Sequence, residues 1–405
     1  MSLDLVQTVA FAGIILFIGY GFKRLIPALA RYNIPAPVAG ALPVAAILTI
    51  AHFAGRQPVT FDTTLQTPLM IAFFTSVGFG ASFGLLRRGG PLVVAFFIVA
   101  ALVAAAQNIV GGLAAMALGQ HRLMGVLAGS VTLTGGPATG LAFAPLFEKA
   151  GVAGASTLAV AAAMVGIVAG GLLGGPIGTF LVEHHARRAQ PRPVQGTLAN
   201  LAESQFGEPA AVTPAGEDVE AYGLLKHIVL MTTAMWFGSW VSAWMHGVGW
   251  TLPAYIGAMI VAALLRNFDD ITGWIGMSQR TIDDLGEVAL ALFLVLALMT
   301  LRLWELAGLV FPLVVILAIQ VALIALVCIA VIPKVMGRDY DAAVMSGGFC
   351  GFMLGTTANA MANMGVLVER YGPAPRAYLV VPLVGAFFID FANALLITFF
   401  LNLWQ

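Results

Sequence analysis

G-S-V-T-L-T-G-G-P-A-T-G, Gly129 to Gly140, lies between two apolar limbs, Leu123–Leu133 and Leu141–Phe147. A helical limb of about eleven residues spans ~16 Å, whereas the hydrocarbon core of a bilayer is ~30 Å thick. Each limb is therefore too short to cross, and the polar stretch between them falls near the membrane midplane. Gly135, Gly136 and Pro137 interrupt the helix there. Non-helical backbone at that depth survives only where protein or a watery cavity covers it. The stretch reads either as a binding site or as a glycine-kinked helix packed on its neighbours. A second such stretch later in the chain favours the first reading.

The surrounding composition demands a membrane. Of 405 residues only 9% are charged, against about 25% in soluble proteins, and the mean hydropathy is +0.96. The formal net charge is zero, which gives no basis for a nucleic-acid partner. Cys328 and Cys350 lie in apolar sequence away from any Cys/His cluster, so neither a disulfide nor a metal centre of that kind is expected. No zinc-type His-Glu spacing or Ser/His constellation suggests an enzyme. No basic segment precedes the first apolar run, and Leu5–Tyr20 therefore reads as a retained span rather than a cleaved signal.

Apolar runs of spanning length divide the chain into an N-terminal half, residues 1–182, a polar linker, 183–222, and a C-terminal half, 223–405. The first half holds spans at Leu5–Leu25, Ala36–Ala54, Thr67–Leu86, Pro91–Leu118 and Val152–Val182, with a broken segment at 123–147. The second holds Gly223–Trp244, Thr251–Leu265, Leu285–Leu301, Leu306–Met336 and Tyr378–Leu401, with a broken segment at 342–368. Residues Asn267–Asp284 connect two of its spans. Sequence marks recur between the halves: P-L-V-V at Pro91 and Pro312, V-G followed by T-F at Val165 and Val384, and Gly-Ala at Gly40 and Gly257. The expected fold is thus an all-α polytopic membrane protein, an inverted repeat of two five-span halves. Each half carries one re-entrant hairpin, giving ten spans and two hairpins, because an odd span count turns the second half upside down.

Charge tests this layout. With both termini outside, fifteen of the nineteen Lys and Arg residues fall on the cytoplasmic side, the linker's Arg187, Arg188 and Arg192 among them. Only Arg56, Arg122, Lys149 and Arg302 fall outside. That bias follows the positive-inside rule and requires both broken segments to turn back rather than cross. The two tips then approach each other from opposite faces.

The second broken segment reads S-G-G-F-C-G-F-M-L-G-T-T-A-N-A-M-A-N-M from Ser346. A descending limb ends at such a tip in unpaired carbonyls, and an ascending limb begins there with unpaired N–H groups. Helix N-termini favour carboxylates, and carbonyl ends favour Na⁺. The pattern suits a small anionic solute with cations coupled to it. The expected substrate-binding residues are Thr134, Gly135, Gly136, Thr139, Gly140, Thr356, Thr357 and Asn359. The expected cation-binding residues, for Na⁺, are Asp390, Asn393, Asn363, Asn108 and Ser130. Asp390 is the clearest intramembrane charge, and an acid at a helix centre costs roughly 2.5–3.5 kcal/mol on insertion scales. Asn359 and Asn363 share one helical face and could instead be plain interhelical hydrogen-bonding amides. Gln107 and Gln320 are weaker candidates, and Arg302 with Glu305 reads as an interfacial pair. A Na⁺/H⁺ antiporter using Asp390 alone is the alternative function.

The chain resembles the bacterial sodium/glutamate symporter family along nearly its whole length. The segments that carry the resemblance are I-P-A-P-V-A-G (34–40), P-L-M-I-A-F-F (68–74), G-V-L-A-G-S-V-T-L-T-G-G (125–136), L-W-E-L-A (303–307), Y-D-A-A-V (340–344), A-N-M (362–364) and V-V-P-L-V-G-A-F-F-I-D-F-A-N-A-L (380–395). The resemblance implies Na⁺-coupled uptake of glutamate across the bacterial inner membrane by a lipid-embedded homodimer working as an elevator. At the tips the chain departs from the family's usual Gly-Gly-His-Gly-Thr and Gly-Ala-Thr-Pro, carrying Gly135-Gly136-Pro137-Ala138-Thr139 and Gly355-Thr356-Thr357-Ala358. A related small carboxylate or amino acid is therefore the alternative solute.

Overall fold

A computed structural model describes residues 2–55, 59–88, 90–186, 219–247 and 253–404. Most of the expected linker, including its three arginines, and Arg56 lie outside the described residues. Fifteen helices carry the architecture: α1 Leu5–Leu25, α2 Ala36–Phe53, α3 Gln66–Gly80, α4 Gly90–Ala117, α5 Arg122–Val126, α6 Gly136–Lys149, α7 Ala155–Leu181, α8 Val219–Gly247, α9 Ala254–Thr272, α10 Gln279–Met299, α11 Val310–Ala330, α12 Tyr340–Leu354, α13 Thr357–Tyr371, α14 Pro375–Leu383 and α15 Ile389–Trp404. Among the described residues the only β-type pairing is an isolated bridge between Ser2 and Thr60.

Helix starts follow ordinary capping chemistry. Asp4 and Gln7 form a reciprocal box at the head of α1, the Asp4 carboxylate accepting from the Gln7 N–H at 2.8 Å. Asp339 caps α12 through the Ala342 N–H at 3.0 Å, and Ser278 caps α10. Pro35 and Pro37 set the entry of α2, where a missing N–H does no harm.

Among the described residues six helices are long and apolar enough to cross a membrane, and the protein is an integral membrane protein of several spans. The remaining expected spans have visible reasons for falling short. Helix α3 stops at Gly80, and a short helix resumes only at Phe83. Charged residues shorten the apolar runs of α9 and α10, Arg266 and Asp269 toward the end of α9 and Asp283 and Glu287 in the first half of α10. The last expected span divides into α14 and α15 around a wide π turn at Val384–Phe388.

Packing sorts the helices into two groups. Helices α1, α2, α3, α8, α9 and α10 pack mainly on one another, whereas α4 to α7 and α11 to α15 form the second group. The groups touch where α6 meets α10, where α3 meets the π turn at 384–388, where α3 and α9 meet α15, and through a hydrogen bond from Asn33 to Asn359 at 2.9 Å. In the second group α7 presents Gly166, Gly170, Gly174 and Gly178 along one face to α12 and α13. A Cβ on Gly174 would lie 2.0 Å from the Asn363 amide nitrogen, so nothing larger than glycine fits. A stripe at every fourth residue gives a flat helix face, and backbones meet there without side chains or lipid between them.

Candidate functional site

Within each broken segment the two limbs lie in contact. A Cβ on Gly140 of α6 would sit 3.0 Å from the Thr132 methyl, and one on Gly351 of α12 would sit 2.5 Å from the Ala360 nitrogen of α13. The limbs are longer than expected: α12 and α13 have 15 residues each, about 22 Å of rise. The first segment breaks in two places. Arg122–Val126 runs into a π turn at Leu127–Val131, where Gly129 leaves helical geometry. After Gly135, Gly136 takes a left-handed φ of +69°, a conformation that costs other L-residues about 1–2 kcal/mol. Pro137 then serves as an early residue of α6 rather than as its breaker.

The two tips meet. A Cβ on Gly136 would lie 3.7 Å from the Gly355 carbonyl oxygen. One buried side chain joins the segments, and it was a weak candidate by sequence. Gln107 of α4 donates from Nε2 to the Met353 carbonyl at 3.1 Å, and its Oε1 accepts from the Thr134 hydroxyl at 2.8 Å. Gln320 of α11 donates to the Gln107 carbonyl at 2.7 Å. Both glutamines are fully buried. Their only signal in the sequence is a polar residue inside an unbroken apolar helix. Helix α4 comes this close because Gly111 and Gly125 cross backbone to backbone, where a Cβ on Gly125 would be 1.9 Å from the Gly111 oxygen.

Around the first break three expected cation-site residues converge. Asn108 Oδ1 accepts from the Ser130 N–H at 3.1 Å, and Asn393 Nδ2 donates to the Ser130 carbonyl at 2.9 Å. Each has a buried atom without a hydrogen-bond partner: Asn108 Nδ2, Ser130 Oγ and Asn393 Oδ1. Buried polar groups are almost always paired, so three orphans in one contact cluster call for an explanation. Two of them are oxygens of the type that ligate Na⁺; the third is a donor. Asp390 lies about one helical turn before Asn393, in the first turn of α15.

The remaining expected residues divide. Asn363 lies elsewhere, its amide donating to the Gly170 carbonyl at 2.9 Å and to Gly347 at 3.3 Å. Asn359 donates to the Ile167 carbonyl at 2.8 Å and accepts from Asn33 at 2.9 Å. These amides fasten α13 to α7, the interhelical alternative noted from sequence, because the glycine face of α7 leaves carbonyls within reach. Asn33, in the turn before α2, had no sequence signal. Thr356 caps α13, accepting from the Asn359 N–H at 3.4 Å, and Thr357 donates to the Gly385 carbonyl at 2.7 Å. Thr139 packs over Gly135, where a Cβ would be 2.5 Å from the threonine Cβ. The N-terminus of α6 has no side-chain cap, unlike that of α13.

A helical membrane protein whose two broken segments meet at a buried polar junction has features found in secondary transporters. Comparison with known proteins makes the class specific. The model of the sodium/glutamate symporter family matches residues 1–373. The sodium/glutamate symporter of Haemophilus influenzae is 39% identical over 392 residues, covering 96% of this chain and 95% of that protein. The sodium/glutamate symporter of Escherichia coli is 40% identical over 403 residues, covering 99% and 98%. The chain belongs to the sodium/glutamate symporter family, a family of transporters rather than enzymes.

Proposed function

We propose that this protein is a Na⁺-coupled symporter of glutamate, or of a closely related small anionic solute, in the bacterial inner membrane. The observation that carries the proposal is the junction at which Gln107 binds Thr134 of one broken segment and Met353 of the other, beside Gly136 and Gly355. The relatives' names supply the solute and the ion. The uncapped start of α6 offers N–H groups to a carboxylate, with Thr134, Gly135, Gly136, Thr139 and Gly140 around it and Thr356 and Thr357 at the facing tip. Ser130 Oγ and Asn393 Oδ1 suit Na⁺, with Asp390 adding charge and Asn108 holding the Ser130 turn. Asn359 and Asn363 act by holding α13 in place.

In this reading the chain has ten spans and two re-entrant hairpins in an inverted repeat, with both termini outside and the linker inside. Repeated contacts support it. Gly19 packs on Ala36 and Gly40, while Gly238 packs on Gly257 and Ala258, at matching places in the two halves. Helix α7 of the first half packs on the second broken segment, and α15 of the second half packs on the first. The two packing groups suit an elevator, in which the group bearing the tips slides along the other. A homodimer in lipid would anchor the fixed group.

Uptake of labelled glutamate into proteoliposomes with and without an inward Na⁺ gradient tests the function. Na⁺-dependent accumulation is expected. Proton movement driven by Na⁺ with no organic solute present would instead favour the antiporter.

A further inference from the structure

A cavity of about 420 Å³ lies against the ascending limb of the first broken segment. Leu141, Pro145 and Glu148 of α6 line one wall, Thr157 of α7 adjoins it, and the C-terminal end of α10 with Arg302 and Glu305 lines the other. The cavity therefore sits where α6 of the tip-bearing group meets α10 of the other. It reaches Leu141, five residues from Gly136, so its floor is ~7.5 Å of helical rise from the tip. Among the described residues Arg302 is the only cationic side chain lining it.

Arg302 is held by its backbone and left loose at its charge. The Thr157 hydroxyl donates to the Arg302 carbonyl at 3.2 Å, which fixes the chain there. The side chain is 69% exposed and its guanidinium pairs with the Glu305 carboxylate at 3.5 Å. Across the cavity the Glu148 carboxylate accepts from the Ser156 hydroxyl at 3.2 Å. Two acids would repel an anion from this cleft, and the Arg302 guanidinium beside Glu305 offsets part of that repulsion at the mouth.

From this geometry we infer that Arg302 steers the anionic solute into the cavity between α6 and α10 and thereby sets preference for anionic over zwitterionic amino acids. The inference rests on the symporter reading. Arg302 is a specificity residue at the mouth, not a ligand at the tip. Glu305 holds the guanidinium between encounters and yields it to an incoming carboxylate. One unit charge at ~7–10 Å in a partly hydrated cleft changes encounter by about three- to tenfold.

Arg302→Gln and Arg302→Cys proteins, reconstituted in full length, provide the test. The Gln variant is expected to raise KM for glutamate about three- to tenfold at low ionic strength, with maximal rate retained. It should also lose the wild-type rise of KM with salt. Attaching an ammonium group to the Cys variant with a thiosulfonate reagent should restore KM, and attaching a sulfonate should raise it further; buried Cys328 and Cys350 leave little background. Glutamate in excess should slow the modification. If both adducts act alike, or if the maximal rate falls while KM holds, the inference is overturned and the symporter reading stands. If the wild-type protein takes up no glutamate under a Na⁺ gradient, both fall.

Discussion

Replacing Gln107 by Leu keeps roughly the side-chain length and removes both bonds through which Gln107 links the two broken segments. The Thr134 hydroxyl and the Met353 carbonyl lose their partner in a fully buried place, the hydroxyl keeping only a Met353 sulfur at 3.9 Å. Hydrogen bonds between membrane helices average ~0.6 kcal/mol and reach ~1.7 kcal/mol. Two such bonds give about 1–3 kcal/mol. Stranding one partner alone in a dry site costs a similar amount per group, about 1–3 kcal/mol. Gln320→Leu removes a single bond, to the Gln107 carbonyl, and should cost about half as much. If the junction is where ligands act, a loss of about 1.4 kcal/mol appears as tenfold weaker binding. The assay is thermal unfolding in detergent across a Na⁺ titration with and without glutamate, for Gln107→Leu, Thr134→Val and the double variant. The double variant should cost less than the sum of the singles, because both remove the same bond. Ligand affinities unchanged in a Gln107→Leu protein of lowered stability would show that the junction is structural only. Strict additivity of the pair would refute the bond.

Asp390→Asn keeps the volume and removes the charge; the expected outcome is a weakened Na⁺ dependence of uptake with folding retained, and unchanged Na⁺ activation would remove Asp390 from the mechanism. Gly136→Ala forces a left-handed φ of +69° on a residue with a Cβ, 3.7 Å from the facing Gly355 carbonyl. It should lower thermal stability by about 1–2 kcal/mol and reduce uptake more than expression, which membrane yield and initial rates measured together would check. Asp283, near the start of α10 and in the connection read as lying outside the spans, gives a pH signature. Burial pushes its carboxyl up from 3.8 to about 6, helped by Glu287 and Asp284 and opposed by the Gln279 hydrogen bond and Arg266. A raised carboxylate favours the fold fully below its unfolded value, and the advantage is lost as pH rises through about 6. Asp283→Asn should therefore stabilise at pH 8 by about 1–2 kcal/mol after allowance for its partial exposure, and by little near pH 4. A difference in unfolding midpoint that does not change with pH would contradict this.

The sequence alone determined that this chain lives in a membrane, where its helices break, and which family it resembles. These follow from local chemistry: apolar length, a Gly-Gly-Pro run and residue motifs are all read within a few tens of residues. It also singled out Ser130, Asn108 and Asn393, because polar atoms in hydrocarbon must find partners somewhere. Tertiary structure decided who those partners are. Asn359 and Asn363, alike in sequence to any ligand-binding amide, bond to carbonyls that the glycine face of α7 brings within reach. Gln107, inconspicuous in a long apolar helix, became the bond between segments more than two hundred residues apart. Spacing along one helix tells which side chains share a face. Only the crossing of Gly111 over Gly125, and the packing of one half's helix on the other half's broken segment, fixes what that face meets.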